Sequence, residues 1–413
     1  MAILKKMHET KAFFFPLVIF LSWLSLCGCQ PQAPEHPLPR PAQLSMDAYN
    51  YERSKDGVTD FIYSQLWYFN FLDDKGDKDP SNDVAGAAAF GLANPENALL
   101  QKGVTNAFGM IIRDPKEGAS FNIFSPFHDP GIPGNFSASK TFEPGPGYEL
   151  KNPNGYIDVI SADEYHIAGQ VNQKEREIRW DLTYSRTLGP GWLVWADWPM
   201  PATLGVFPAW ITYYMHMPNA VVNGTFRVND GAHEKTYTLT NAKGYHDGFF
   251  SKCVFSLFEW DWLDYKQAEP ALAIQLLHPH GPMYKCGAGW ERCTPGNLRV
   301  IYNDTEYNFT RHRDSIEIRY DKTAYDPEYK VQYPIEETIN ARDAQGNLVE
   351  VHWKHERHSV VYYDVPKPYK DCASFEMIVG LRGTFYDAKS GTTVPFSGSG
   401  WADWSGPAFP DKK

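Results

Sequence analysis

The sequence lacks the short motifs by which many enzyme classes are recognised. It has no glycine-rich phosphate loop, no Gly-x-Ser-x-Gly elbow and no His-Glu-x-x-His pair. These absences argue against P-loop nucleotide hydrolases, α/β-hydrolases and helix-borne zinc proteases. Helical periodicity is scarce, whereas period-two alternation of apolar and polar residues is frequent. The sequence therefore predicts an all-β chain whose chemistry lies outside the common motifs.

An excess of positive charge is also absent. The chain has 39 Lys and Arg against 50 Asp and Glu, a formal net charge of −11. Such an acidic body argues against binding to nucleic acid and against electrostatic docking on anionic lipid. Aromatic residues, by contrast, make up 15% of the chain, with 13 Trp and 24 Tyr. This composition suits the core of a barrel and the walls of a pocket for a flat apolar ligand.

Three lysines precede a long apolar run, Ala12–Leu26, near the amino terminus. The run is too short to span a bilayer comfortably but has the length of a signal-peptide core. It ends in Leu-Cys-Gly-Cys, which resembles a bacterial lipobox with Cys29 as the lipidated residue. We therefore expect residues 1–28 to be a signal peptide. Residues 29–45 are expected to be a lipidated Cys followed by a Pro-rich tether.

This reading predicts a protein of the cell envelope. The lipid would anchor it to a bacterial outer membrane, on the periplasmic or surface side, and would be its only contact with the membrane. The alternatives are an uncleaved signal anchor and an ordinary secretory signal.

Four cysteines remain after the lipobox. Cys286 and Cys293 bracket a Gly-rich loop, so they form the favoured disulfide pair in an oxidising compartment. Cys253 with Cys372 is the remaining option, which the sequence leaves open because it does not give the geometry. No second Cys or His pair stands at zinc-finger spacing, so no metal site is predicted.

Many short strands joined by turn-rich loops favour a β-barrel or a β-sandwich. A hairpin is expected around Asn172-Gln173, between two alternating segments. The four-residue sequence Trp195–Trp198 recurs as Trp401–Trp404, which hints at a duplicated β-domain. A match this short also arises by chance in a chain of this length.

Several short motifs together resemble the carotenoid 1,2-hydratase and AttH-like family of tandem lipocalin-like proteins. The run Ser64–Phe69 resembles the family's opening Trp-Tyr strand, and Ile178–Tyr184 resembles a later Trp-Asp-Leu strand. Three further pieces follow in the family's order, namely Tyr213–Pro218, Gly244–Asp247 and a Trp-rich strand. The family is also related to kievitone hydratase and to fungal lipocalin-like cyclases.

This resemblance implies two lipocalin-like (calycin) antiparallel β-barrels in tandem, over residues 46–265 and 266–413. It implies a scaffold more firmly than a reaction. The chain departs from the family pattern in three places. The family's Glu before the first Trp-Tyr is missing, and Gln65 and Leu66 stand in that region. Gly248–Ser251 replaces a His-Asn-Trp-Gly run. Pro218 stands two residues after His216, where the family has a Trp.

The central motif supplies the candidate catalytic residues. In an extended strand Tyr245 and Asp247 lie on one face and His246 on the other. An Asp in an aromatic-walled cavity has a raised pKa and can act as a general acid. We therefore predict Asp247 as the acid, with Tyr245 and His216 positioning water or an internal nucleophile. This scheme requires no cofactor and no metal.

Four aromatic residues are the candidate substrate-binding residues. They would stabilise a carbocation formed when an alkene is protonated. They are Trp67, Tyr214, Trp260 and Trp262.

Two functions of different classes follow. The first is a secreted lipoprotein enzyme for acid-assisted hydration, dehydration or cyclisation of an apolar isoprenoid or polyene-like small molecule. The second is a non-catalytic carrier lipoprotein that uses the same cavity for a hydrophobic ligand. Simpler readings also stand: Asp247 as a strand-end residue, His216 as a satisfied interior histidine, and Trp260 and Trp262 as core packing.

Overall fold

Strands dominate the computed structural model. It describes residues 40–48, 50, 54–57, 63–77, 79–93, 104–124, 137–138, 148–152, 155–203, 207–252, 259–280, 296–310, 314–363 and 372–407. Within these ranges no helix is long and apolar enough to cross a membrane. The predicted signal peptide, Cys29, Cys253 and the predicted Cys286–Cys293 disulfide lie outside the described residues.

The first sheet has thirteen strands with antiparallel pairing. Their spatial order is β5-β4-β3-β2-β13-β12-β10-β9-β8-β7-β6, with β11 beside β12 and β1 beside β11. The strands are β1 (Arg40–Pro41), β2 (Tyr63–Asp73), β3 (Val84–Ala93), β4 (Val104–Ile112), β5 (Phe121–Phe124), β6 (Ser137–Ala138), β7 (Tyr148–Asn152), β8 (Gly155–Ser161), β9 (Glu164–Gln173), β10 (Arg176–Arg186), β11 (Trp192–Thr203), β12 (Phe207–Asn229) and β13 (Glu234–Lys252).

The second sheet has nine strands, in the order β17-β16-β15-β14-β22-β21-β20-β19-β18. The two sheets divide between Lys252 and Glu259, so the predicted domain boundary after residue 265 falls inside the first strand of this sheet. The strands are β14 (Glu259–Gln267), β15 (Leu272–His280), β16 (Asn297–Tyr302), β17 (Thr305–Thr310), β18 (Ser315–Asp326), β19 (Val331–Arg342), β20 (Leu348–Tyr363), β21 (Cys372–Asp387) and β22 (Thr392–Pro407).

The first sheet curls so that its distant strands meet. Gly109 on β4 approaches β9 and β10 so closely that a Cβ there would lie 2.8 Å from Val171 Cγ2 and 3.1 Å from Ile178 Cγ2. Apolar side chains from both halves of the curled sheet form one core inside it, and the second sheet encloses a core of its own. The predicted fold class, two antiparallel lipocalin-like barrels in tandem, is confirmed.

Strand β10 shows why these sequences form such sheets. Ile178, Trp180, Leu182 and Tyr184 alternate with more polar residues, and all four are buried in the first core. Side chains in a strand point alternately to the two faces, so this pattern fixes the inner face. The expected hairpin is present, since β9 and β10 pair around a turn at residues 174–175.

A third apolar cluster joins the two sheets. It contains Met215 and Tyr245 from the first sheet and Trp262, Ile378 and Trp401 from the second. Strand β13 separates this cluster from the first barrel core, because its successive side chains point alternately to the two sides. Adjacent residues in this part of β13, such as His246 and Asp247, therefore lie on opposite sides of the sheet.

Candidate active site

A cavity of about 140 Å³ lies between the two sheets. Its walls are mostly apolar and aromatic, as in ligand sites generally. The first sheet contributes Tyr213, Asp247 and Phe249, and the second contributes Trp260 and Trp262. The cavity is a space between the two barrels that the side chains of neither barrel fill.

Asp247 is held in the cavity wall by two phenols. Tyr245 lies two residues before it on β13, and its hydroxyl donates to Asp247 Oδ2 at 2.6 Å. Tyr213 on β12 donates to the same oxygen, and the two phenol oxygens are 3.2 Å apart. The predicted placement of Tyr245 and Asp247 on one face of their strand is therefore correct. Tyr213 is a further member of the cluster that the sequence analysis missed.

Burial dominates the electrostatics of Asp247. Its side chain lies among apolar and aromatic groups, and the residue is 7% exposed. Desolvation raises the pKa of the carboxyl to about 6, although the two phenol donors act in the opposite direction. Burial, together with the neighbouring Asp247 charge, raises the pKa values of Tyr213 and Tyr245 well above the usual range, so both remain neutral donors. The carboxyl therefore titrates within about one pH unit of neutrality, a range that suits a general acid.

The second sheet brings two more carboxyl groups to the cavity, Glu376 on β21 and Asp403 on β22. Burial, reinforced by the charge of Asp403, raises the pKa of Glu376 well above its usual range. Desolvation likewise raises the pKa of Asp403 to about 7. Sequence analysis identified neither residue, because they come from strands far from the central motif.

Trp260 and Trp262 both lie in the cavity wall, as two residues on one face of β14. Trp260 Nε1 donates to Asp403 Oδ2 at 2.5 Å, and Trp262 Nε1 donates to Tyr245 Oη at 3.3 Å. The rings of Trp262 and Tyr245 meet edge to face with centroids 4.9 Å apart. The two indoles therefore connect the Asp247 cluster of the first sheet with the acidic wall of the second.

The predicted partner His216 does not lie in this cavity. It is 1% exposed inside the first barrel, where its ring centroid is 5.9 Å from that of His246, on the face of β13 opposite Asp247. Neither of its ring nitrogens has a well-formed hydrogen bond among the described residues. Burial lowers the pKa of His216 to about 4, so the ring is neutral at physiological pH. The trio of Asp247, Tyr245 and His216 is corrected to Asp247, Tyr245 and Tyr213.

Two of the predicted substrate-binding residues, Trp67 and Tyr214, also belong to the first barrel. Both bind Asp47, a residue that the sequence analysis did not single out. Trp67 Nε1 donates to the backbone oxygen of Asp47 at 2.8 Å, and Tyr214 Oη donates to its Oδ1 at 3.0 Å. They anchor the segment before β2 and do not line the cavity between the sheets.

Asp47 also pairs with His246. His246 Nε2 lies 3.0 Å from Asp47 Oδ2, and its Nδ1 donates to the backbone oxygen of Tyr68 at 2.9 Å. Burial alone would raise the pKa of Asp47, but the charge and hydrogen bond of His246 lower it to about 2. A carbonyl and an ionised carboxylate both only accept, so each ring nitrogen of His246 faces an acceptor.

Comparison with known proteins rests on structure alone. No protein-family model matches the chain, and no curated protein matches its sequence. Among solved structures, a protein assigned as AttH from Nitrosomonas europaea is 11% identical with a TM-score of 0.55, covering 92% of this chain and 100% of its own. CghA in complex with Sch210972 is 12% identical with a TM-score of 0.56, covering 84% of this chain and 88% of its own.

Kievitone hydratase from Nectria haematococca is 11% identical with a TM-score of 0.50, covering 91% of this chain and 94% of its own. The chain therefore has the fold shared by AttH-like proteins, a hydratase and CghA, and the resemblance seen in the sequence is confirmed at the level of the fold. At these identities the likeness shows the fold alone, so function must be argued from the cavity.

Proposed function

We propose that the protein is an enzyme for acid-assisted hydration, dehydration or cyclisation of an apolar isoprenoid or polyene-like small molecule. The observation that carries this proposal is the position of Asp247. Its carboxyl lies in an aromatic cavity between two barrels, with two phenols fixing one oxygen and a pKa near 6. Strongly shifted carboxyls in clefts are a general mark of acid catalysts.

In the proposed reaction the Asp247 carboxyl donates its proton to one carbon of an alkene, leaving a carbocation at the other carbon. Water adds to that carbon in a hydration, or an internal double bond adds in a cyclisation. A proton is then lost to the carboxylate, which restores the acid, so no oxidant or reductant is needed. The faces of Trp260, Trp262 and Tyr213 stabilise the positive charge while it exists.

The size of the cavity limits how much of the substrate is enclosed. An apolar cavity of roughly 150 Å³ accommodates a molecule the size of benzene. The present cavity, at about 140 Å³, therefore encloses one ring or one isoprenoid end of a larger molecule. We propose that the reacting double bond lies at that end.

We also propose that the mature protein is lipid-anchored at Cys29 in a bacterial cell envelope. The lipobox-like sequence and the Pro-rich segment after it support this proposal. An envelope location would give the enzyme access to hydrophobic molecules that partition into membranes. Incorporation of radiolabelled palmitate into the wild type but not into Cys29→Ser tests the anchor.

The test of the enzyme is the variant Asp247→Asn, assayed with a panel of isoprenoid alkenes in H₂¹⁸O and with mass spectrometry of the products. Loss of the acid is expected to lower turnover about 10²–10⁴-fold while ligand affinity changes less than about threefold. Glu337→Gln is the matched control, because Glu337 is an equally buried carboxyl of raised pKa that does not line the cavity.

Two outcomes would overturn the proposal. Full turnover by Asp247→Asn would remove the acid from the mechanism. Tight binding of the panel by the wild type without any product would instead identify the protein as the non-catalytic carrier.

A further inference from the structure

Glu376 and Asp403 stand directly opposite each other on the adjacent strands β21 and β22. Like charges in directly opposed positions of a sheet destabilise it, and burial increases the cost. Glu376 is 8% exposed. A pair of this kind requires a compensating positive charge or a retained proton.

The hydrogen-bond partners of the pair are neutral. Trp401 Nε1 donates to Glu376 Oε2 at 2.7 Å, and Tyr68 Oη donates to the same oxygen at 3.3 Å. Ser374 and Trp260 donate to Asp403. No Lys, Arg or His is found among the described residues that line the cavity. The described lining therefore holds the carboxyls in place without neutralising them.

The cavity also contains a donor without a partner. Trp195 lines it and is 4% exposed, and its indole Nε1 has no hydrogen-bond partner among the described residues. Buried polar groups are nearly always paired, so an orphaned donor indicates a place that an occupant completes. This observation is independent of the acidic pair, and because an N–H donor is satisfied by an acceptor, it indicates an occupant, ligand or water, beside Trp195.

The surroundings of the pair suit an organic cation. Trp260 and Tyr68 each contact one of the two carboxyls and line the cavity themselves. Aromatic faces beside carboxylates attract alkylammonium groups, because the ring quadrupole adds to the ionic attraction. The described His, Cys, Asp and Glu side chains form no group of three placed to hold a metal ion. Together these features favour a cation with apolar substituents.

We propose that Glu376 and Asp403, with Trp260 and Tyr68, form a subsite for a protonated or quaternary amine, so that the ligand of this cavity is a hydrophobic organic cation. The inference rests on the proposed function only in sharing its cavity, and it names the substrate class. Its failure is separable from that of the enzyme. If the protein binds amines without turning any substrate over, the subsite stands and the proposed enzyme fails. If it hydrates alkenes regardless of their charge, the proposed enzyme stands and the subsite fails.

The test compares phenyltrimethylammonium with tert-butylbenzene, which has the same shape and no charge. Titration calorimetry of the full-length protein at pH 8 is expected to show the cation binding at least about tenfold more tightly. An apolar cavity without the subsite would favour the neutral compound, because the cation must lose its hydration.

Variants test which residues cause the preference for the cation over the neutral compound. Glu376→Gln and Asp403→Asn should each reduce it about tenfold, while the control Glu337→Gln should change it less than about threefold. Removing the like-charge pair should also raise the melting temperature by about 2 °C or more at pH 8, so that loss of binding is not loss of the fold.

In the wild type the cation's advantage should rise between pH 5.5 and pH 8.5, because Asp403, whose pKa is about 7, ionises over this range, while tert-butylbenzene binding stays constant. The titratable groups that face Asp403 are Glu376 on β21, Asp247 on β13, Asp261 on β14 and the phenols of Tyr68 and Tyr213. Equal affinity for the two compounds, failure of the cation to bind, or a larger loss in Asp247→Asn than in Glu376→Gln would overturn the subsite.

Discussion

Two buried carboxyl groups lie on opposite faces of strand β13, and their pKa values are shifted in opposite directions. On one face, Asp247 meets phenols and indoles, and its pKa rises to about 6. On the other face, Asp47 meets His246, and its pKa falls to about 2. Both carboxyls are buried and both accept from tyrosines. The difference is a single histidine: His246 lowers the pKa of Asp47 inside the first barrel, whereas no Lys, Arg or His is found in the described cavity wall.

This comparison separates a structural site from a reactive one. The Asp47–His246 pair has its charges balanced and connects the segment before β2 to the barrel interior. The Asp247 cluster has its charge unbalanced and faces a space that a ligand can enter. Neighbouring carboxyls whose environments push their pKa values apart commonly take different roles. On this basis Asp247, and not Asp47, is a candidate acid.

The largest effect on stability is expected on the barrel side. Asp47→Ala leaves His246 Nε2 and the Tyr214 hydroxyl buried without the carboxylate that both contact. Breaking a buried pair in this way is expected to lower the free energy of unfolding by about 3–5 kcal/mol. Urea denaturation at pH 7.5 measures it. A loss below about 1 kcal/mol would show that the pair is not charged.

Asp247→Asn is expected to change stability in the opposite direction. The folded-state pKa of about 6 exceeds the ordinary Asp value, so the ionised carboxyl destabilises the fold above pH 6 and has no such effect below pH 4. The variant should therefore gain about 1–3 kcal/mol at pH 8, and the gain should vanish near pH 4. Urea titrations at the two pH values decide this, and a pH-independent difference would contradict it.

A smaller shift should follow removal of one phenol. Tyr213→Phe removes a donor that stabilises the ionised form of Asp247, so the alkaline limb of the activity profile, on which the acid loses its proton, should move up by about one pH unit. Tyr214→Phe is the matched control, because the adjacent phenol binds Asp47 on the opposite face. An equal displacement in both variants would show that the two faces are not independent.

The smallest effect is expected from His216→Phe. The ring is neutral, buried and without a well-formed hydrogen bond among the described residues, and replacing such groups by apolar ones is nearly neutral. Turnover should change less than about threefold and the free energy of unfolding by less than about 1 kcal/mol. A hundredfold loss of turnover would restore the trio inferred from the sequence.

The position of His216, away from Asp247, shows which structural features periodicity predicts and which it does not. Alternation correctly placed Tyr245 with Asp247, because side chains two apart share a face. It could not say which face of β12 adjoins which face of β13. That depends on register, which pairs Met215 with Asp247 and shifts at a bulge just beyond. With that register in hand, Tyr213 rather than His216 would have been chosen.

Strands rich in β-branched and aromatic residues were largely predictable, as in β10, but other strands were not. Strand β3 consists mainly of Ala and Gly, and β22 contains a Ser-Gly run, so neither has the composition typical of strands. Packing decides both: Gly86 on β3, for example, leaves room for the Phe71 ring. The Glu376–Asp403 pair escaped notice for a related reason, because pairing of β21 with β22 is a tertiary property.

The central claim is that Asp247 is a buried acid that holds its proton close to neutral pH. Infrared titration measures this, through the protonated-carboxyl band that is present in the wild type and missing from Asp247→Asn. The difference band is expected to disappear with a midpoint near pH 6. A midpoint at the ordinary Asp value, near pH 4, would show that Asp247 is a plain carboxylate and would contradict the proposed chemistry.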